Sequence, residues 1–378
     1  MIKARVRRVK KHSKLLILII FISGFFGGYF STNLIFWLNK EEVTHIYIIY
    51  SSEKASWMTQ AYTDFMEEWE KKHPDEKIMI HMHPYGSADS IISILNGEIF
   101  PTIWSPASSI WMPYLNTKWK EYTGSKKDIV DIFEAVKIIY SPIVIATWEK
   151  FNKTNKIKGF NDVFDLIADI DVEIKMGHTD PRLSNSGFMT VIMAISAATG
   201  KSSEDITMKD LQDDNNQKWL TVFESIAVMY GKSTGFLSRY MQNQGPDGLN
   251  LAFLYENLIV DISSESTEGK IIAIYPEEGT LYSDHPFCIL NADWVTPKQE
   301  RIAGKFLKFL NENKTIKSAL EYGFRPIDTS IPLDKDIFNY KDNGIAYTLN
   351  VTELSVPKDE EALLRIPDMW LLCKNRGL

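Results

Sequence analysis

Cysteine is nearly missing from this chain: Cys288 and Cys373 are the only two in 378 residues. That excludes a disulfide scaffold and a cysteine-based zinc site. Two readings of the pair stay open. Outside a cell they would bond and pin the C-terminal tail. Alternatively Cys288, which lies in an apolar strand-like run, is a buried free thiol. The sequence contains no G-x-x-x-x-G-K-[ST] and no G-x-G-x-x-G, so the common phosphate-binding loops are excluded. It shows no internal repeat and no low-complexity segment. Acidic residues are missing from residues 1–14, which hold Lys3, Arg5, Arg7, Arg8, Lys10, Lys11 and Lys14. With those seven set aside, 35 basic residues face 49 acidic ones, a net charge of −14. So acidic a body argues against nucleic acid as a partner.

Charge of either sign is missing from residues 15–38. As a helix these 24 residues would span about 36 Å, against roughly 30 Å of bilayer core. The basic flank precedes them, which places the N-terminus in the cytoplasm and the body outside. A cleaved signal peptide is the competing reading. The apolar run is longer than a signal core, lacks an Ala-x-Ala site, and is followed by no cysteine to take a lipid. The expectation is therefore a cytoplasmic tip (1–14), an uncleaved transmembrane signal anchor (15–38) and a single-pass location in the cell membrane.

What is present beyond the anchor is an alternation. Val43 to Tyr50 is apolar and β-branched, as in a strand buried on both faces. Trp57, Ala61, Phe65 and Trp69 then recur every four residues, the spacing of a helix face. Lys77–His83 and Thr102–Trp104 read as further strands. Each strand is followed by a short hydroxyl-bearing loop (Ser51-Ser52, Gly86-Ser87, Ser105-Pro106) and a helix start. In a parallel sheet such loops gather at the carboxyl edge, where α/β proteins bind ligands. Tyr140–Trp148 is a strand that fits a crossover. A second α/β region follows, with strands near Ile174–Met176, Leu249–Tyr255 and Lys270–Tyr275. Its helices fall near Val163–Ile167, at Gln217–Tyr230 and, further on, at Arg301–Leu310. From Ile327 the tail reads as irregular, except for a helix around Glu360–Cys373.

The richest segment is Gly177-His-Thr-Asp-Pro-Arg-Leu-Ser-Asn-Ser-Gly187, which runs straight into the apolar helix beginning at Phe188. A carboxylate, a guanidinium, three hydroxyls and an amide sit between two glycines, just before backbone N–H groups that lack helical partners. This is either a cradle for a small polar or anionic ligand or a well-capped polar loop. Other motifs carry less. Gly231-Lys-Ser-Thr-Gly235 matches a nucleophile elbow, but a helix, not a strand, is expected before it, so a catalytic Ser233 is not. His81-x-His83 puts two imidazoles on one strand face without a third ligand. His178 and His285 lie in polar loops and would form a metal site only if the fold brought them together; no metal or cofactor is expected.

These motifs jointly resemble the extracellular solute-binding proteins of ABC-type importers, in the branch often joined to a von Willebrand factor A domain, which is not expected here. The resemblance rests on Ser51-Ser52-Glu53-Lys54, Gly86-Ser87, Trp104 to Trp111, the Gly177–Gly187 loop, Tyr255-Glu256-Asn257, Tyr275 to Thr280, Ser283 to Pro286 and Glu321-Tyr-Gly-Phe-Arg-Pro326. It implies an α/β, two-lobed, periplasmic-binding-protein-like fold of type II. Residues 43–139 and 276–326 would form the first lobe, 140–275 the second, and 327–378 an extension packed on both. The expected function is a tethered, non-enzymatic receptor that clamps a small polar solute, one bearing an oxyanion or carboxylate, for an ABC permease. Ser51, Ser52, Lys54, Ser87, Ser105 and Ser108 would meet the solute from one lobe. Thr179, Asp180, Arg182, Ser184, Asn185, Ser186, Tyr255 and Glu256 would meet it from the other. An amine-bearing or sugar-like solute is the runner-up, and an extracytoplasmic hydrolase or a non-binding interaction domain are the competing functions.

Overall fold

The computed structural model describes residues 43–265 and 268–376. The expected anchor and its basic tip lie outside these residues. Among the described residues no helix is long and apolar enough to cross a membrane.

Strands β1 (Thr44–Ser51), β2 (Ile78–Tyr85) and β3 (Ile103–Ser105) come first, with the helix Ala55–Lys72 between β1 and β2. The long strand β4 (Ile139–Trp148) precedes β5 (Met176–Thr179), β6 (Ala227–Gly231) and β7 (Leu251–Tyr255). Then come β8 (Ile271–Ile274), β9 (Thr280–Ser283), β10 (Cys288–Ile289), β11 (Arg325–Pro326) and β12 (Glu353–Leu354). They build two separate sheets. One has four strands in the order β10-β3-β1-β2, and the other runs β12-β9-β4-β7-β5-β6, with β8 and β11 also paired to β4. The separation into two sheets is what a two-lobed molecule requires. β10 returns the chain to the first sheet, where it pairs antiparallel with β3.

β4 is the strand on which the second sheet is built. Its start pairs with β11 and β9, through Tyr140↔Arg325 and Pro142↔Tyr282. From Ile143 onward it pairs with β7 and β8 instead. Pro142, which lacks an N–H, thus falls where the ladder changes partner, a place that tolerates it. Alternation along the strands feeds two cores. Ile143 and Ile145 of β4 join Phe253 and Tyr255 of β7 on one side. Val144 and Ala146 join Ala252 and Leu254 on the other. Burial on both faces explains the near-continuous apolar runs. In the first sheet Ile46 and Ile48 pack with Trp57, Phe65 and Phe306. Each such side chain stabilises the fold by about 1.5–3 kcal/mol.

The helix Asn185–Thr199 is buried almost all round, from Asn185 to Ser196, so it sits inside the molecule rather than on it. It ends at Gly200, whose φ of 64° lies in the left-handed region open to glycine. The C-terminal helix Glu360–Arg376 packs on the helix Asp214–Glu224. One expectation fails here. Residues 217–230 are not one helix: the helix stops at Glu224 and Ala227–Gly231 is a parallel strand beside β5. The cysteines do not bond; both are buried free thiols. Burial pushes the Cys288 thiol up to about 12, and Cys288 Sγ lies 3.5 Å from Met112 Sδ.

Candidate functional site

The carboxyl ends of β1, β3 and β5 point their loops at one another, and the hydroxyl-bearing loops of the two sheets interlock. Gly235 N donates to Ser52 Oγ at 3.1 Å, and Asp89 N donates to the Leu183 carbonyl at 3.1 Å. Trp111 Nε1 donates to Asn185 Oδ1 at 2.7 Å. Each of these bonds joins an element of the first sheet to one of the second. Between them lies a buried polar cluster that includes Ser51, Ser87, Ser105, Ser108, Thr179, Ser184, Asn185, Ser186, Tyr255, Ser283 and His285, none more than 4% exposed.

On the second-sheet side Asn185 is the hub. Its Nδ2 donates to Tyr255 Oη at 2.7 Å and to Ser283 Oγ at 3.0 Å. A hydroxyl chain runs from Thr179 through Ser186 to Thr234, with steps of 2.8 and 2.6 Å. Gly187 N donates to Thr179 Oγ1 at 2.7 Å. Burial raises Tyr255 strongly, with the Glu53 charge adding to it, so its hydroxyl stays protonated.

On the first-sheet side stand Glu53 and His285, neither of them among the expected solute contacts. Ser51 Oγ donates to Glu53 Oε1, and His285 Nδ1 stands 3.2 Å from the same oxygen. Neither ring nitrogen of His285 completes a hydrogen bond. Its φ of 39° is a left-handed conformation that non-glycine residues seldom adopt without a local reason. Burial favours the neutral acid at Glu53, but His285, Lys54 and Ser51 outweigh it and lower the pKa. Burial also lowers His285, so an ionised carboxylate faces a neutral imidazole. No sequence signal pairs these two, because they are distant along the chain.

The remaining expected residues are placed differently. Lys54 Nζ is enclosed by the Ser105 carbonyl (3.0 Å), Ser105 Oγ (2.8 Å) and the Pro106 carbonyl (3.1 Å). Burial lowers it to about 7. It shapes the Ser105 loop and has no free donor for a ligand. Arg182 is turned back: Nε and Nη2 reach the two Asp180 oxygens at 3.0 and 2.5 Å, and the guanidinium lies over Trp370. Glu256 points away from Tyr255 into a buried pair with Arg325, at 2.7 and 3.0 Å, and accepts from Tyr275 Oη. His178 and His285 do not approach each other. Burial lowers His178, but Glu224, 3.1 Å away, outweighs it and raises the pKa. Among the described residues no group of three or more His, Cys, Asp or Glu is placed to hold a metal.

The Gly231–Gly235 motif also differs from expectation. A strand does precede it, and Ser233 is the N-cap of the helix Thr234–Gly248. The elbow context is therefore present. Among the described residues, no histidine or carboxylate hydrogen-bonds the Ser233 hydroxyl, whereas a nucleophile needs such a base. Two cavities flank the polar cluster. One of about 510 Å³ touches Ser108, Met189 and Asp284; one of about 460 Å³ touches Ser52 and Glu53.

Two sheets with a buried polar seam between their loop edges define a two-lobed α/β molecule. The chain belongs to the bacterial extracellular solute-binding proteins, whose family model matches residues 54–325. No curated protein matches it in sequence. Solved structures agree in fold. A periplasmic thiamin-binding protein superposes with a TM-score of 0.59 at 12% identity, over 89% of this chain and 97% of that one. The spermidine/putrescine ABC-transporter substrate-binding protein of Streptococcus pneumoniae gives 0.57 at 11%, over 89% and 100%. Iron-bound HitA of Pseudomonas aeruginosa gives 0.54 at 15%, over 89% and 100%.

Proposed function

We propose that this chain is a membrane-tethered receptor outside the cytoplasm, held by residues 15–38, that closes around a small polar solute and delivers it to an ABC-type permease. In this reading residues 43–139 and 276–326 are one lobe, 140–275 the other, and 327–378 an extension packed on both. The observation that carries it is the buried seam of hydroxyls, amide, carboxylate and unpartnered imidazole shared between two sheets. Burying so many polar groups is unfavourable unless each finds a partner, and a clamped solute supplies partners from both sides at once. Enclosure also removes competing water, which makes each hydrogen bond selective.

Thr179, Ser184, Asn185 and Ser186 would hold an oxyanion or carboxylate end of the solute, helped by the N-terminus of the helix Asn185–Thr199. Ser51, Ser52, Ser87, Ser105 and Ser108 would meet it from the other lobe. Tyr255 would form a wall. Asp180, Arg182, Lys54 and Glu256 act in this reading as supports. A second reading is favoured by one specific observation. The only guanidinium of the loop is tied to Asp180, while Glu53 is a carboxylate within the seam, which suits an amine-bearing solute. The neighbours titled for thiamin and spermidine/putrescine are in keeping with it.

A melting-temperature screen of oxyanions, amino acids, sugars and polyamines on the purified chain separates the two readings. Oxyanion or carboxylate binders weakened by Ser186→Ala by about 1–3 kcal/mol, roughly ten- to a hundredfold, support the first. Stabilisation by amines alone, lost in Glu53→Gln, supports the second. If no compound binds saturably, the receptor reading fails.

A further inference from the structure

The outer face of the β1–β2 pair carries an imidazole cluster that the cleft does not use. β2 is the edge strand of the four-stranded sheet. The parallel register sets His45 beside Met79 and Tyr47 beside His81. Side-chain alternation puts His83 on the same face as His81. His45, Tyr47 and His83 are exposed and His81 is half-buried. The motif His81-x-His83 supplies two imidazoles; the fold adds a third from another strand.

His45 Nδ1 lies 2.9 Å from His81 Nε2, with the two ring planes 11° apart. Ring nitrogens at that distance share one proton, with one donating and the other offering its lone pair. Tyr47 stacks on His81 at 4.6 Å and 12°, which fixes that ring plane. Gln299 Nε2 donates to the His45 carbonyl at 2.8 Å and ties the strand beneath it.

Two imidazole nitrogens held 2.9 Å apart on neighbouring strands are close enough to ligate one ion once the proton between them is lost. With Zn–N bonds of about 2.0 Å, a tetrahedral ion holds two nitrogens about 3.3 Å apart. Turning the exposed His45 ring off the hydrogen-bond line, together with a few tenths of an ångström of separation, would exchange the shared proton for a metal. We infer that His45 and His81 form a surface site for a divalent late transition-metal ion, with His83 at its margin and water in the remaining positions. Imidazole suits copper, nickel and zinc, and affinity rises along the series to Cu²⁺.

The test is calorimetric titration of the full chain in detergent, purified without a histidine tag and stripped with chelator, with Cu²⁺ and Zn²⁺ salts in turn. The expected result is one ion per chain, Cu²⁺ tighter than Zn²⁺, and a loss of at least about tenfold in affinity in both His45→Gln and His81→Gln. Cu²⁺ electron paramagnetic resonance should show hyperfine coupling to two imidazole nitrogens. Both substitutions lie at the surface, so metal-free melting should match wild type. Absence of saturable binding up to about 1 mM, or binding that both variants retain, would overturn the inference; the latter would place the ion elsewhere, such as at Glu53 and His285.

Discussion

Gly86 offers a direct handle on lobe closure. It is the N-cap of the helix Ser87–Leu95, with φ −70° and ψ 146°, a conformation that alanine adopts freely. A methyl group there would nonetheless fall on the Leu183 carbonyl, well inside van der Waals contact, and 3.0 Å from the Lys232 carbonyl. Both carbonyls belong to loops of the second sheet, and both are backbone, so neither can swing aside. Gly86→Ala should therefore leave each lobe intact and obstruct only their approach. Overpacking of this kind costs about 1–3 kcal/mol. Losing the Asp89 N to Leu183 carbonyl bond adds about 1 kcal/mol. The closed form should be disfavoured by about 2–4 kcal/mol, roughly thirty- to several-hundredfold in solute affinity. Calorimetric titration with whichever compound stabilises wild type measures this, and a thermal melt of the ligand-free variant measures the fold. Gly187 is the control. A Cβ there meets the Thr179 carbonyl of its own lobe, so Gly187→Ala should lower the melting temperature with or without solute. Unchanged affinity in Gly86→Ala, or a ligand-free melting loss as large as that of Gly187→Ala, would refute closure at this seam.

Further outcomes follow from the same geometry. Asn185→Ala leaves Trp111 Nε1, Tyr255 Oη and Ser283 Oγ without their partner, and urea unfolding should show a loss of about 2–4 kcal/mol. Lys54 is lowered to about 7 in the folded chain from an ordinary 10.5. Between those values the unfolded chain binds more protons, so stability should rise as pH goes from 7 to 9. Urea midpoints at the two pH values should show that rise in wild type and not in Lys54→Met. Carbonate-washed membranes should retain the full-length protein, and protease added to intact cells should reach its body. A soluble chain beginning near Asn39 would show cleavage instead.

Local patterns made much of the fold legible. The four-residue spacing of Trp57, Ala61, Phe65 and Trp69 gave the helix Ala55–Lys72, and all four are buried. The apolar run from Tyr140 gave the strand β4, because a strand buried on both faces has no polar side to show. The error at 217–230 has the same origin: Val228, Met229 and Tyr230 continue an apolar series across the helix end at Glu224, and nothing local marks the change of period. That error also hid the strand–turn–helix context of Ser233. Within the candidate site the hydroxyl loops were readable from their place after strands. The electrostatics were not. Glu53 faces His285, Glu256 faces Arg325, and Arg182 turns onto Asp180 and Trp370. Two of these pairs depend on residues brought from far along the chain. The third depends on a C-terminal helix whose docking place the sequence does not announce. The histidine pair of β1 and β2 was half visible, since His45 joins His81 only through the sheet register.

The central claim is that two lobes close on a solute without converting it. Solution X-ray scattering of the chain, with and without a compound that stabilises it, tests this most directly when the compound is recovered and identified afterwards. The expected result is a smaller radius of gyration with the compound bound, saturation at one molecule per chain, and recovery of the compound unchanged. An unchanged radius at saturating binding, or recovery of a converted product, would contradict it.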